Sequence, residues 1–372
     1  LDAFFAANML AGIGFLVTMY FTVKMVATDK KIHLLSFALS MSLPSSLLFF
    51  GYVETYAVVL FSISLYILTG ILYLRQRIPF ALVAACFVFQ CLTHYLTVLT
   101  GPSLIYLAYE GFRKGDRKDV ILGVTVLICV IISIFIGIGG DLRGFYSAMP
   151  HQHYLPLFPS ENPAEQYSTA YTILSWKHAV DILNLSILLF PASLYLYFAK
   201  QRKLVDTQSA AQGKYFLYGL IPIMLFAMIA KFDPGTARDW DVLAPYAYPA
   251  VLLGVSTFIS RQRSENGKMI LLLLTGITIA NSFLFFSVNA SVKRSLERFE
   301  SLLDRNMISQ GAVYSGILYL ASYYNEKGDR NTPTSLWDKY VNDYPEDVRG
   351  YFNVIKTIEY GGGKELLGPV NY

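Results

Sequence analysis

Charge is scarce in this chain. Asp, Glu, Lys and Arg make up 15% of the 372 residues, 54% are hydrophobic, and mean hydropathy is +0.44. Water alone could not keep such a chain in solution, which excludes an ordinary soluble domain and points to a polytopic membrane protein. Cysteine is nearly missing too. Cys86, Cys91 and Cys129 all lie in apolar runs, so they build neither a disulfide framework nor a zinc site and read as small buried hydrophobes. The net charge of +4 is the small Lys/Arg excess that orientation in a bilayer demands, and it carries no sign of a nucleic-acid partner. Nucleotide-binding loops are also lacking: there is neither G-x-x-x-x-G-K-[ST] nor a strand-framed G-x-G-x-x-G, and "GIGG" at 137–140 reads as a glycine-rich helix end.

Long apolar runs are what the chain has instead. About ten segments approach the 20 or so residues needed to cross the hydrocarbon core, near 3–26, 32–50, 56–74, 78–93, 96–111, 119–138, 179–199, 214–231, 243–260 and 269–289. The predicted fold is therefore all-α, a transmembrane helix bundle over 1–290 followed by a small helical tail over 291–372. "TDKK", "RQR", "FRKGDRK", "KQRK" and "RQRSENGK" fall at every second junction, with about fifteen basic residues there against about four in the opposite loops. That alternation assigns the basic loops to the cytoplasm. It puts "GYVETY", "THY", the loop near 139–178, "DPGTARDWD", the start of the chain and the tail on the extracytoplasmic side of an inner membrane. The opening "LDAFFAANML" lacks the basic region and cleavage site of a signal peptide, so it reads as a first span, and residues are expected to precede Leu1.

The unusual polar residues share the outward side. Within "DPGTARDWDVLAP", Pro234 and Gly235 break a helix and free Asp233, Arg238, Asp239 and Asp241 from helical backbone. Two carboxylates at D-x-D spacing suit a hard cation such as Mg²⁺ or Mn²⁺, and a guanidinium suits a phosphate. The alternative is an internally neutralised Arg/Asp clasp that ties helices together. Glu54 sits in a tight inter-span turn, where an ionisable group is costly unless paired or wet, or else snorkels from the loop. His94, at the tip of a short hairpin, is either a site group or a helix cap. His178 and Asp181 lie three residues apart on one face at a helix start, with Asn184 following, as a polar stripe toward a wet cavity would. His151 and His153 could face one metal ion from an extended loop, although no third ligand is near. Tyr and Phe number 27 and 26 and mostly form an interfacial belt; Tyr52, Tyr56, Tyr95 and Tyr246 fall beside the polar loops.

After residue 290 the pattern turns amphipathic. "NASVKRSLERFESLLDRN" reads as one helix with Leu296, Phe299 and Leu303 on a face. The following stretch gives helix, Gly-Asp turn, helix, a proline and helix, similar to one tetratricopeptide unit and the start of another. A single unit is expected to lean on the membrane domain or on a protein partner. "GGGKELLGPVNY" reads as a flexible tail.

"FFGYVETYA", "LTHYLTVLTGPSL", "SWKHAVDILN" and "ARDWDVLAP", together with the helical tail, resemble the GT-C superfamily of integral-membrane glycosyltransferases, in its bacterial polytopic members. The resemblance runs over most of the chain on loose motifs. It implies a sugar taken from a polyprenyl-phosphate carrier in the lipid bilayer and passed to a lipid, glycan or protein acceptor, often with a divalent metal. By resemblance Arg238 binds the donor phosphate, Asp239 or Asp241 binds metal or orients the acceptor, and Glu54 and His94 line the acceptor cavity. The general base belongs to a loop that would precede Leu1. Two other classes stand beside the transferase. One is a non-catalytic anchor docking a partner through residues 291–372. The other is a transporter, which the placement of charge at span ends rather than mid-membrane disfavours.

Overall fold

A computed structural model describes residues 2–49, 56–137, 139, 154–158, 171–198, 207–232, 236–237, 239–261, 265–303, 310–329 and 331–359. Among them the chain is helical, with no strand beyond an isolated antiparallel bridge between Tyr154 and Ala230. It divides into two compact units, Leu1–Gln152 with Asn184–Ile229 and Trp240–Phe286, and His153–Leu183 with Ala230–Asp239 and Ser287–Tyr372. The tail thus shares a unit with two segments that a division at residue 290 assigns to the membrane domain. Composition registers apolarity, whereas these segments cluster through long-range contacts.

In the first unit the helices are α1 (Asp2–Val26), α2 (Lys30–Met41), α3 (Tyr56–Leu74), α4 (Phe80–Thr93), α5 (Gly101–Lys114), α6 (Arg117–Gly137), the end of α7 (Trp176–Leu189), α8 (Pro191–Phe198), α9 (Thr207–Ile229), the short α10 (Trp240–Leu243), α11 (Ala247–Arg261) and most of α12 (Glu265–Asn289). Six stretches are long and apolar enough to cross a membrane: Ala6–Val26, Tyr56–Leu74, Arg117–Gly137, Ser209–Ile229, Trp240–Ile259 and Asn266–Asn289. A seventh is obtained if α7 and α8, bent by 96°, count as one.

Three expected spans are shorter than the apolar runs suggest. The run 32–50 is cut at Pro44, where the 12-residue α2 gives way to a 3₁₀ turn over Pro44–Phe49, because proline removes a donor and clashes with the preceding turn. The runs 78–93 and 96–111 become the 14-residue α4, a 3₁₀ turn over Tyr95–Thr100 and the 14-residue α5. At 1.5 Å per residue none of these helices alone matches a hydrocarbon core of about 30 Å.

The bend after α7 has an identifiable cause. Pro191 lacks the N–H that would satisfy the carbonyl of Ile187, four residues earlier. Asn281 of α12 supplies the missing donor, with Nδ2 3.3 Å from the Ile187 oxygen and 3.2 Å from the Leu188 oxygen. Polar side chains also tie the other helices, as where Thr18 Oγ1 meets Ser64 Oγ at 2.7 Å between α1 and α3. Gly70 lets α3 and α9 approach closely: a Cβ there would collide with the Tyr215 ring, whose hydroxyl donates to the Tyr66 carbonyl at 3.0 Å.

The second unit ends in α13 (Val292–Leu302), α14 (Gln310–Glu326), α15 (Asn331–Asp343) and α16 (Val348–Glu359). Gly328, at φ +79°, makes the turn between α14 and α15, a left-handed conformation that glycine adopts without penalty. Asp329 Oδ1 then caps α15 by accepting the N–H groups of Asn331 and Thr332 at 3.0 and 3.1 Å. Val313, Ile317, Leu320, Ala321, Leu336, Trp337 and Tyr340 form a core, joined by Leu296, Leu303 and Val354. The tail therefore has a core of its own, contrary to the expectation for a lone hairpin, because α13 and α16 add apolar faces on either side.

Asp347 holds the start of α16. It receives the Arg349 N–H at 3.1 Å, the Arg349 guanidinium at 2.7 Å, the Gln310 amide at 2.9 Å and the Tyr340 hydroxyl. The Arg349 guanidinium, with the Tyr340 hydroxyl and the Arg349 N–H behind it, holds this buried carboxyl well below the usual carboxylate range. A carboxyl depressed in the folded state contributes stability that is fully present above its unfolded value, about 3.9, and fades as pH falls through that value toward the folded one. Asp347→Ala should cost the tail about 1–3 kcal/mol at neutral pH, and the gap from wild type should narrow below about pH 4. Unfolding followed by Trp337 fluorescence, with Trp176 and Trp240 replaced by Phe, tests both statements; a gap that is constant from pH 7 to pH 3 would contradict the assignment.

Candidate functional site

Two of the sequence candidates meet in the second unit. Ser175 is placed to start α7, its hydroxyl oxygen accepting the His178 N–H at 3.2 Å, the hydrogen bond of a serine cap. His178 and Asp181 then project from the first turns of the helix on one side, as the three-residue spacing requires. Both are buried, whereas Asn184, on the next turn, is exposed. The stripe thus ends at Asp181.

The group that joins them is Tyr171. Its hydroxyl donates to Asp181 Oδ2 at 2.8 Å and lies 3.2 Å from His178 Nδ1. A phenol has one proton, so while it serves Asp181 its oxygen can only accept from His178, which assigns an N–H to Nδ1 and, in the neutral ring, leaves Nε2 as the acceptor. Burial, and then the Asp181 carboxylate, push the Tyr171 hydroxyl well above its ordinary value. It therefore stays protonated as a fixed donor. The ring is anchored against Leu155 and Ile173, and the Ile173 N–H donates to the Pro156 carbonyl at 3.0 Å.

Against the Tyr171 hydroxyl lies Thr236, a buried residue of the loop that carries the Arg/Asp cluster. The segment Ala230–Asp239 belongs to the same unit, and Ala230 bridges to Tyr154. So the structure brings the polar stripe of α7 beside Thr236, though the two lie far apart in sequence. Asp239 is half-buried in this unit, and Asp241 is buried in α10 of the first unit. Asp233, Arg238, Glu54, His151, His153 and Tyr52 lie outside the described residues.

No protein-family model, curated protein or solved structure matches the chain.

A divalent cation wants six or more oxygen ligands. Among the described residues no group of three or more His, Cys, Asp or Glu side chains is gathered to hold one.

His94 belongs to the first unit and acts as a cap. It closes α4, its N–H donating to Gln90 at 3.2 Å, and opens the 3₁₀ turn, its Nδ1 accepting the Leu96 N–H at 3.3 Å. That bond puts the proton of the neutral ring on Nε2, and burial lowers the pKa in the same direction. The ring stacks on Tyr95 with centroids 4.8 Å apart and is tilted on Tyr56 at 5.6 Å. Tyr246, buried with no hydrogen-bond partner for its hydroxyl among the described residues, lies beside Tyr56, Tyr95 and Cys91. Three of the four tyrosines singled out near the polar loops thus converge with His94 on one aromatic patch.

Sequence reasoning missed Tyr171, Thr236 and Ser175. Only Ser175 left a local signal, as a serine three residues before His178 at the start of an apolar helix. Tyr171 and Thr236 are joined by a contact that no short-range pattern encodes.

Proposed function

We propose that the protein is a membrane glycosyltransferase, in an inner membrane with its polar loops and tail outside. It moves a sugar from a polyprenyl-phosphate donor to a lipid, glycan or protein acceptor. One observation carries the reading: the buried Tyr171–His178–Asp181 cluster packs on Thr236, two residues before Arg238 in sequence, so a fixed hydrogen-bonded platform meets the chain close to the cationic phosphate ligand. Such bracing is what a preorganised anion site needs. In the reaction the acceptor oxygen bonds to the anomeric carbon, the bond from that carbon to the phosphate oxygen breaks, and the electron pair leaves with the phosphate held by Arg238. The acceptor proton passes to a carboxylate base, and Asp239 orients the acceptor. Binding of a polyprenyl-phosphate sugar to the purified protein and to Arg238→Ala tests this directly.

A second reading, a non-catalytic assembly subunit, is favoured by one feature of the tetratricopeptide-like tail. Val348, Tyr351, Phe352 and Ile355 are exposed along one face of α16, the spacing of a helix that packs on something further. Under that reading Arg238→Ala would leave both assembly and lipid binding unchanged.

A further inference from the structure

We propose that a second phosphate site, for the headgroup of an anionic membrane phospholipid, lies at the α3–α4 and α5–α6 turns of the first unit. The α3–α4 and α5–α6 turns line an open groove of about 940 Å³, with Tyr73, Gln76, Arg77, Ile78, Pro79 and Gly115–Asp119 along it. This proposal does not depend on the transferase reading.

Four observations carry it. Arg77, Arg117 and Lys118 are exposed around the groove, and none has an ion-pair partner among the described residues. The two acids that line it, Asp116 and Asp119, are half-buried, and Asp119 is committed to the Phe80 N–H at 2.5 Å. The lining therefore keeps a net positive charge that suits one phosphodiester. Tyr73 also lines the groove. It is 5% exposed, and its hydroxyl is shut off from solvent against Gly111.

Residues 117–119 of the first turn of α6 also line the groove, and helix N-termini favour anions. A lipid is preferred to a soluble phosphate because α6 continues from the groove as an apolar helix whose Ile121, Leu122, Val124 and Ile128 are exposed. An acyl chain can lie along that face while the headgroup stays at the turns. The charge asymmetry of the sequence assigns these turns to the cytoplasmic side, where basic side chains attract anionic lipid.

Native mass spectrometry of the full chain, released from detergent with phosphatidylglycerol, diacylglycerol or inorganic phosphate, tests the site. The expected result is a retained phosphatidylglycerol adduct, with none from diacylglycerol or inorganic phosphate at the same concentration. Arg117→Gln with Lys118→Gln should weaken it roughly tenfold or more. Lys30→Gln with Lys31→Gln, exposed cations away from the groove, should leave it unchanged. Equal adducts on wild type and on the Arg117/Lys118 variant would overturn the proposal. So would inorganic phosphate displacing the lipid at equal concentration, which would make the groove a site for a soluble anion.

Discussion

Trp337→Ala is expected to unfold most of the helical tail while leaving the apolar helices of the first unit intact. Trp337 is 1% exposed, sits at the centre of the α14–α15–α16 core, and packs against Tyr314 and Tyr340 at centroid separations of 5.5 and 5.9 Å. Truncating a buried tryptophan costs about 3–5 kcal/mol, the lost transfer energy plus the cavity left behind. A small domain is stable by only about 5–15 kcal/mol in all, and this tail is at the small end. Hydrogen exchange of residues 310–359 in the purified protein should rise steeply in the variant. Lys339→Ala, on the exposed side of α15, should change little. Exchange in Trp337→Ala that matched wild type would mean that the tail core is not what holds these helices.

Asp181→Ala should have the second large effect, and its pairing with Tyr171→Phe should be non-additive. Alanine leaves the buried Tyr171 hydroxyl without the acceptor it meets at 2.8 Å, and an unsatisfied buried donor costs about 1–3 kcal/mol. Phenylalanine keeps the ring against Leu155 but strips Asp181 of its donor. The double variant removes both partners at once, so it should cost clearly less than the sum of the two, with a coupling of about 0.5–3 kcal/mol. Under the proposed transferase reading, Asp181→Ala should also weaken donor binding, because Thr236 lies against the same hydroxyl. Thermal unfolding of the four proteins of the cycle measures the coupling. Strict additivity would show that the hydrogen bond is incidental.

How far the sequence disclosed this structure depended on the range of the interactions involved. Helices set by one apolar run were legible: 56–74 matches α3 residue for residue, 119–138 falls on α6 and 269–289 on α12. Their boundaries coincide with local punctuation, such as the Gly115 turn before α6. Breaks inside apolar runs were less legible. The run 179–199 looks continuous, yet Pro191 divides it, and Asn281 from a distant helix stabilises the division by donating to the carbonyls of Ile187 and Leu188. The tail helices were readable from their amphipathic spacing, but its core was not, since it depends on Leu296 and Val354 arriving from flanking helices. At the candidate site the pair His178 and Asp181 was visible as an i, i+3 stripe. What holds them, Tyr171 from the preceding loop and Thr236 from a remote one, belongs to tertiary contact alone. His94 shows the reverse case, a polar residue at a hairpin tip whose backbone and Nδ1 are occupied in capping.

The most direct test of the account is equilibrium binding of a polyprenyl-phosphate sugar to the purified protein, to Arg238→Ala and to Asp239→Asn, with and without Mg²⁺ or Mn²⁺. The account predicts saturable binding by wild type that is about tenfold or more weaker in Arg238→Ala, since a charged hydrogen bond to phosphate contributes about 1.5–3 kcal/mol. Asp239→Asn should bind donor normally and lose transfer to the acceptor. Equal, weak and unsaturable binding by wild type and Arg238→Ala would contradict it, leaving the Arg/Asp loop as a structural clasp of an assembly subunit.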